Sequence, residues 1–183
     1  MRFNKKDILL KNGTICTLRS PEEHDVDKFI EYLKITSDET HFMARYPEEV
    51  NIDINEQINF ITTILNSDKD ILISAFISGE LIGSIGLTCI KNHIKIKHRA
   101  TLGISIKKNY WNKGLGNILM KEALNQGLKM GYEQIELGVF SNNIKAKSLY
   151  QKNGFEVWGN IKNAFKLKDG TYGDETIMGY MYL

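Results

Sequence analysis

Apolar residues recur along this chain with two different periods, and the change between them divides it. Ile8-Leu9-Leu10, the Asn12-Gly13 turn and Thr14 to Leu18 predict a hairpin or a bent first strand. Ser20-Pro21-Glu22-Glu23 then reads as a helix start, with Ser at the N-cap, Pro at the first helical position and Glu at the third. Val26, Phe29, Ile30 and Leu33 keep to one face of that helix. A polar, partly acidic loop from Ser37 to Glu49 follows. Asp53 and Glu56 form a second capping box, ahead of a stripe of Ile54, Ile58, Ile61 and Leu65.

From Ile71 the period shortens to two. Ile71 to Ile77 predicts a strand, Ser78-Gly79-Glu80 a turn and Leu81 to Ile90 the partner strand. Lys95 to Ile106 adds another. A helix from Asn117 to Met130 stops near Gly131, Gln134 to Phe140 is a strand, and a short helix from Ile144 to Asn153 is closed by Gly154. Phe155 to Trp158 and Thr176 to Leu183 complete the sheet, with Lys168-Asp169-Gly170 as a hairpin turn. This order of a strand, two helices, an antiparallel meander and a strand–helix–strand–helix–strand passage predicts an α+β fold with a mixed sheet. No repeat or Pro/Gly-rich linker interrupts it, so residues 1–183 are expected to form a single domain.

Composition narrows the class. An apolar content of 42% and a charged content of 25% suit a soluble globular chain, and a net charge of +2 makes no case for nucleic acid. The one basic run, Lys91 to Arg99, carries no stacking aromatic beyond its histidines and reads as an exposed strand or hairpin end. Cys16 and Cys89 form no CxxC pair, and the four histidines show no metal-ligand spacing. The N-terminal residues lack a signal core and no run is long enough to span a bilayer, so a cytoplasmic protein without membrane contact is expected.

Chemistry enters at Trp111-Asn112-Lys113-Gly114-Leu115-Gly116-Asn117, between the strand-like Thr101–Ile106 and the helix after it. A glycine turn that opens a helix leaves main-chain N–H groups unpaired in front of the positive end of the helix dipole, which is a seat for phosphate. Alone, the turn is equally well explained by the backbone freedom of glycine. A Walker loop is excluded because the Lys-Ser/Thr ending is missing. A Rossmann fingerprint is excluded because Leu119 stands where its third glycine belongs.

A second segment decides between these readings. Asn143-Ile144-Lys145-Ala146 and Leu149-Tyr150-Gln151-Lys152-Asn153-Gly154-Phe155, taken with Tyr110 to Gly116, closely resemble the GNAT superfamily of N-acetyltransferases. The resemblance is strongest over residues 99–158 and points toward small bacterial enzymes of the ribosomal-protein, polyamine and amino-acid groups. It implies a mixed, mostly antiparallel sheet flanked by helices and splayed where acetyl-CoA binds.

The resemblance further implies that Lys113, Gly114, Leu115, Gly116, Asn117 and Ile118 hold the CoA pyrophosphate through main-chain amides. Ile104, Ser105 and Ile106 would pair with the pantetheine arm in the manner of an added strand, and Asn143 would touch the arm from the far side. The superfamily pattern has Gln or Arg where this chain has Trp111.

Tyr150 corresponds to the tyrosine that protonates the departing thiolate, and a main-chain N–H of the Ile104 strand to the oxyanion contact. Relatives often carry an acidic base where this chain has Thr101, so Glu136 on the next strand is the substitute candidate, with His41 behind it. In the acidic loop, Glu39 and Glu48 are the candidates to orient a cationic acceptor.

The expected activity is acetyl transfer from acetyl-CoA to a primary amine of a small molecule (an amino acid, polyamine or amine antibiotic) by direct attack in a ternary complex. The alternatives are a protein N-terminal or lysine acetyltransferase of the ribosomal-protein type, and a non-catalytic acyl-CoA-binding module. A monomer or a homodimer is expected, with no metal.

Overall fold

A computed structural model describes residues 1–182; Leu183, the last residue of the final predicted strand, lies outside them. The strands are β1 (Lys6–Leu9), β2 (Ile15–Arg19), β3 (Ile71–Ile77), β4 (Glu80–Cys89), β5 (Arg99–Ile106), β6 (Gln134–Phe140), β7 (Glu156–Lys166) and β8 (Tyr172–Met181). The helices are α1 (Val26–Asp38), α2 (Ile54–Asn66), α3 (Leu115–Lys129) and α4 (Ile144–Lys152). All eight strands form one sheet in the order β1-β2-β3-β4-β5-β6-β8-β7. Neighbours are antiparallel except β5 and β6, which run parallel because α3 carries the chain from one to the other.

Side-chain alternation assigns the two faces. Ala100, Leu102, Ile135, Leu137 and Val139 join Leu115, Leu119, Met120 and Ala123 of α3 in the main core. On the other face, Phe29, Tyr32 and Leu33 of α1 pack with Leu72, Phe76 and Leu81. That second layer stops at β5. Beyond it the same face carries Thr101, Gly103 and Gly138, all exposed in the middle of the sheet.

The first helix begins differently from the local pattern. Ser20 is not an N-cap: its hydroxyl is buried, accepts the Phe3 N–H at 2.8 Å and donates to the Leu72 carbonyl at 3.1 Å. A short 3-10 turn, Glu23–Asp25, intervenes before α1. Asp25 anchors it, taking two bonds from Arg19 at 2.6 and 2.8 Å and one from the Glu22 N–H at 2.9 Å. Tertiary demand for the Ser20 hydroxyl outweighs its local capping preference.

Asp53 does cap α2, accepting from the Asn55 and Glu56 N–H groups. The predicted stripe is rotated, however: Gln57 and Ile61 are the buried positions, while Ile54 is 52% exposed. The basic run forms no strand before Arg99; the His93 carbonyl takes the Ile96 and Lys97 N–H groups in a tight turn that joins β4 to β5. The last hairpin turns at Asp169-Gly170, as its sequence predicts, but its strands are longer than their apolar runs.

Burial of the Asp25 carboxyl raises its pKa, and the Arg19 and Glu22 hydrogen bonds outweigh that, leaving it below the usual carboxylate range. A group with a depressed folded pKa stabilises above its unfolded value, about 3.9, and loses that contribution as pH falls through the folded one. Arg19→Leu leaves a buried charge without its partner and is expected to destabilise by about 3 kcal/mol in urea unfolding at neutral pH. The deficit should shrink below about pH 4, where the variant's carboxyl is protonated.

Candidate active site

The parallel pair that joins the halves of the sheet is short. β5 and β6 are in register only at Arg99↔Gln134, Ala100↔Ile135 and Thr101↔Glu136, although β5 continues to Ile106 and β6 to Phe140. Past Thr101 the strands part, as expected for a splayed sheet. Bonds from the Ile90 N–H to the Arg99 carbonyl and from the Lys107 N–H to the Ile82 carbonyl fix the phase of β5. Its odd-numbered peptide groups face β4, so those of Leu102 and Ile104 face the gap.

This sorts the three strand residues expected to meet a ligand through the main chain. Ile104 stands free at the gap. Ser105 is turned to β4, and both its carbonyl and its hydroxyl contact the Tyr32 phenol, at 2.7 and 2.6 Å. The Ile106 carbonyl accepts the Trp111 indole N–H at 2.7 Å. Trp111, the residue that departs from the superfamily pattern, therefore closes the end of β5.

At the mouth of the gap, Asn112 and Gly114 have φ of 61° and 88°, so two left-handed residues flank Lys113. The main-chain N–H groups from Asn112 to Asn117 have no hydrogen-bond partner among the described residues. The first N–H to bond inside α3 is that of Ile118, to the Gly114 carbonyl at 3.2 Å. Since α3 starts at Leu115, two residues before its predicted start, the Ile118 amide belongs to the helix and is no part of the cradle. Leu115 offers only its N–H, its side chain being in the core. Alternating left-handed residues at a helix N-terminus form an anion nest. Lys11, Lys108, Lys145 and Lys152 line the same cleft, whose volume is about 1700 Å³.

Two contacts lock α4 to this cradle. A Cβ on Gly116 would press on Leu149 at 3.1 Å, so the glycine permits close helix approach, and Asn153 donates to the Asn117 side chain at 3.2 Å. Asn143 caps α4 by accepting the Ala146 N–H and reaches the cleft wall. Tyr150 lies on the buried side of α4 and also lines the cleft. Burial pushes its phenol up to about 12, and that phenol has no hydrogen-bond partner among the described residues.

The remaining candidates divide. Glu136 shares the open face with Thr101, but its carboxylate is held by Arg99 at 2.5 Å and by Gln134 at 2.9 Å, and it is not on the cleft wall. Glu48 also lies off the wall, ion-paired to Lys168 at the tip of the β7–β8 hairpin. Glu39 reaches the wall, with its carboxylate accepting the Lys108 N–H at 2.6 Å. His41 is exposed on the wall and packs against Phe42, centroids 4.0 Å apart.

Tyr46 accepts the Lys168 N–H at 2.9 Å, so the acidic loop is tied to that hairpin. Sequence reasoning missed Tyr32, the Phe140–Phe165 stack and Glu175 on this wall; each depends on strand register.

Comparisons with known proteins bear on the family and the fold. The model of the acetyltransferase (GNAT) family matches residues 22–155. The L-amino acid N-acetyltransferase AaaT of Escherichia coli (strain K12) is 30% identical over 105 residues, 57% of this chain and 64% of that protein. The chain thus spans less than two thirds of that relative's length. An acetyltransferase of the GNAT family from Streptococcus pneumoniae has a TM-score of 0.87 at 28% identity, covering 91% of this chain and 99% of that one. A phosphinothricin acetyltransferase from Sinorhizobium meliloti, solved in complex with acetyl-CoA, has a TM-score of 0.78 at 19% identity, covering 91% and 88%.

Burial keeps the Tyr150 phenol protonated across the neutral range. In carbon NMR of tyrosine-labelled protein, assigned with Tyr150→Phe, this ring is expected to stay unmoved through the ordinary tyrosine midpoint of about 10. It should titrate only toward about 12.

Proposed function

This chain belongs to the acetyltransferase (GNAT) family, and we propose that it transfers an acetyl group from acetyl-CoA to a primary amine of a small molecule by direct attack in a ternary complex. The observation that carries the proposal is the alignment along one cleft of the unpaired amides of Asn112–Asn117, the unpaired edge of β5 and the buried phenol of Tyr150. The residues present fit the cofactor: an anion nest suits its pyrophosphate, and a free strand edge suits an arm that carries amides.

When bound, acetyl-CoA supplies the acetyl group as an activated thioester. The chain's own groups have distinct tasks. Lys113, Gly114, Leu115, Gly116 and Asn117 present main-chain amides to the phosphates. Leu102 and Ile104 present peptide groups to the arm, and an N–H of this strand edge is placed to donate to the carbonyl oxygen as negative charge develops there. Asn143 borders the arm. Tyr150 gives its proton to the departing sulfur, a role that requires the phenol to be protonated at working pH, and the attacking amine releases its own proton to solvent in the open cleft.

Amino acids are the first acceptors to try, given the relative named for them.

Two variants test the assignment. Tyr150→Phe is expected to lower kcat by about 100-fold while the Kd for CoA in calorimetry stays within about twofold. Gly114→Val forces a branched residue to φ of 88° and disturbs the nest, and should weaken CoA by at least about tenfold. Failure of the parent protein to bind acetyl-CoA would overturn the proposal.

A further inference from the structure

Two carboxylates on the cleft wall have no partner among the described residues, the exposed Glu56 and the half-buried Glu175. Glu175, on β8, is paired in register with Phe140 and Ile161, and its half-buried side chain leans across β6 to stand over Gly138. A Cβ on Gly138 would collide with this carboxylate, so the glycine provides the space it occupies. Extending the short β5–β6 register places Gly103 level with Gly138 across the gap, and a Cβ on Gly103 would meet nothing within 4 Å. Glu175 thus overhangs open floor at the point where the strands part. It forms no ion pair or hydrogen bond among the described residues.

Its surroundings are aromatic. Phe140 and Phe165 are stacked with centroids 3.8 Å apart, and Phe42 meets Phe140 edge-on at 5.7 Å. The β7 bulge between Ile161 and Phe165 brings the second ring into place, and Gly173 gives Phe140 room, since a Cβ there would meet its ring at 3.0 Å. Meanwhile the glutamates of the acidic loop are engaged: Glu39 serves the Lys108 N–H, Glu49 the Tyr46 N–H and Glu48 Lys168. Glu56 and Arg45, which α2 and the loop contribute to the cleft, are both exposed.

We propose that Glu175, overhanging Gly138 beside the Phe42–Phe140–Phe165 wall, holds the ammonium of the acceptor and selects amines that carry one positive charge and an apolar substituent. The inference rests on the function proposed above and deepens it. A half-buried carboxylate without a cation favours a cationic ligand, because desolvated opposite charges attract more strongly than in water. Aromatic faces add attraction for the cation and burial for the apolar group. A polyamine would bring further ammonium groups, for which the other unengaged carboxylate on the wall, Glu56, is exposed and screened by solvent, so the arrangement selects against it.

The test is direct binding to the protein without cofactor, using 2-phenylethylamine as the probe and 2-phenylethanol and spermidine as controls. Calorimetry should show millimolar or tighter binding of 2-phenylethylamine, with both controls weaker by at least about tenfold. Glu175→Gln should weaken the amine by at least about tenfold and leave 2-phenylethanol unchanged. Gly138→Ala, which keeps the carboxylate and displaces it, should produce the same loss. In turnover, Glu175→Gln should raise KM for the amine far more than it lowers kcat, as expected for a group that binds the acceptor and does not act in the chemical step.

Equal amine affinity in the parent and Glu175→Gln, no binding of 2-phenylethylamine to the parent, or stronger binding of spermidine would overturn the proposal. Retained melting temperature and CoA affinity in both variants separate it from a folding defect. Amine binding that depends on Glu175 in a protein without acetyl-CoA affinity would uphold this inference and overturn only the proposed function.

Discussion

Everything at this site follows from an incomplete strand pair. Main-chain N–H and C=O groups inside a protein need partners, and in the middle of this sheet, away from its β1 and β7 edges, two neighbouring strands separate where β5 and β6 part beyond Thr101 and Glu136. The separation is held from outside the gap. Tyr32 and β4 fix one side of β5 at Ser105, Trp111 ties off its end at Ile106, and β8 pairs with β6 along its full length. With both strands braced on their far sides, neither can swing across to meet the other. The polar edge between them stays available.

The same bracing explains why the chemistry gathers on two faces. The α3 side supplies the cradle, the α4 cap and the phenol, and it is packed into the main core. The opposite side ends its helical layer at β5, leaving Thr101, Gly103 and Gly138 as bare floor under the Glu39–Tyr46 loop. One face offers rigid main-chain donors and a dry proton. The other offers space, aromatic surface and the half-buried carboxylate of Glu175. An acyl donor and a cationic acceptor have these unlike requirements.

How much was legible in the chain follows from what each feature depends on. Asn143 and Tyr150 were reached through the resemblance carried by the short segment around them, while the glycine turn is local, placed by turn chemistry whatever surrounds it. Most element types were legible for the same reason. The failures involve partners distant in sequence. Ser20 reads as a cap because nothing near it reveals that Phe3 and Leu72 claim its hydroxyl. Glu136 does face the open side, yet Arg99 is its partner only through the β5–β6 register. Glu175 was invisible because its position depends on a glycine in another strand and on a pairing no local pattern encodes.

The contact of Gly116 with Leu149 and the link from Asn153 to Asn117 make α3 and α4 one solid piece. The anion nest sits at the front of the first helix and the phenol projects from the second, so the span between them is set by packing and does not vary with loop motion. A ligand that engages both ends is therefore gauged for its length as well as its charge. The cleft behaves as a calliper, and its setting is a glycine too small to hold two helices apart.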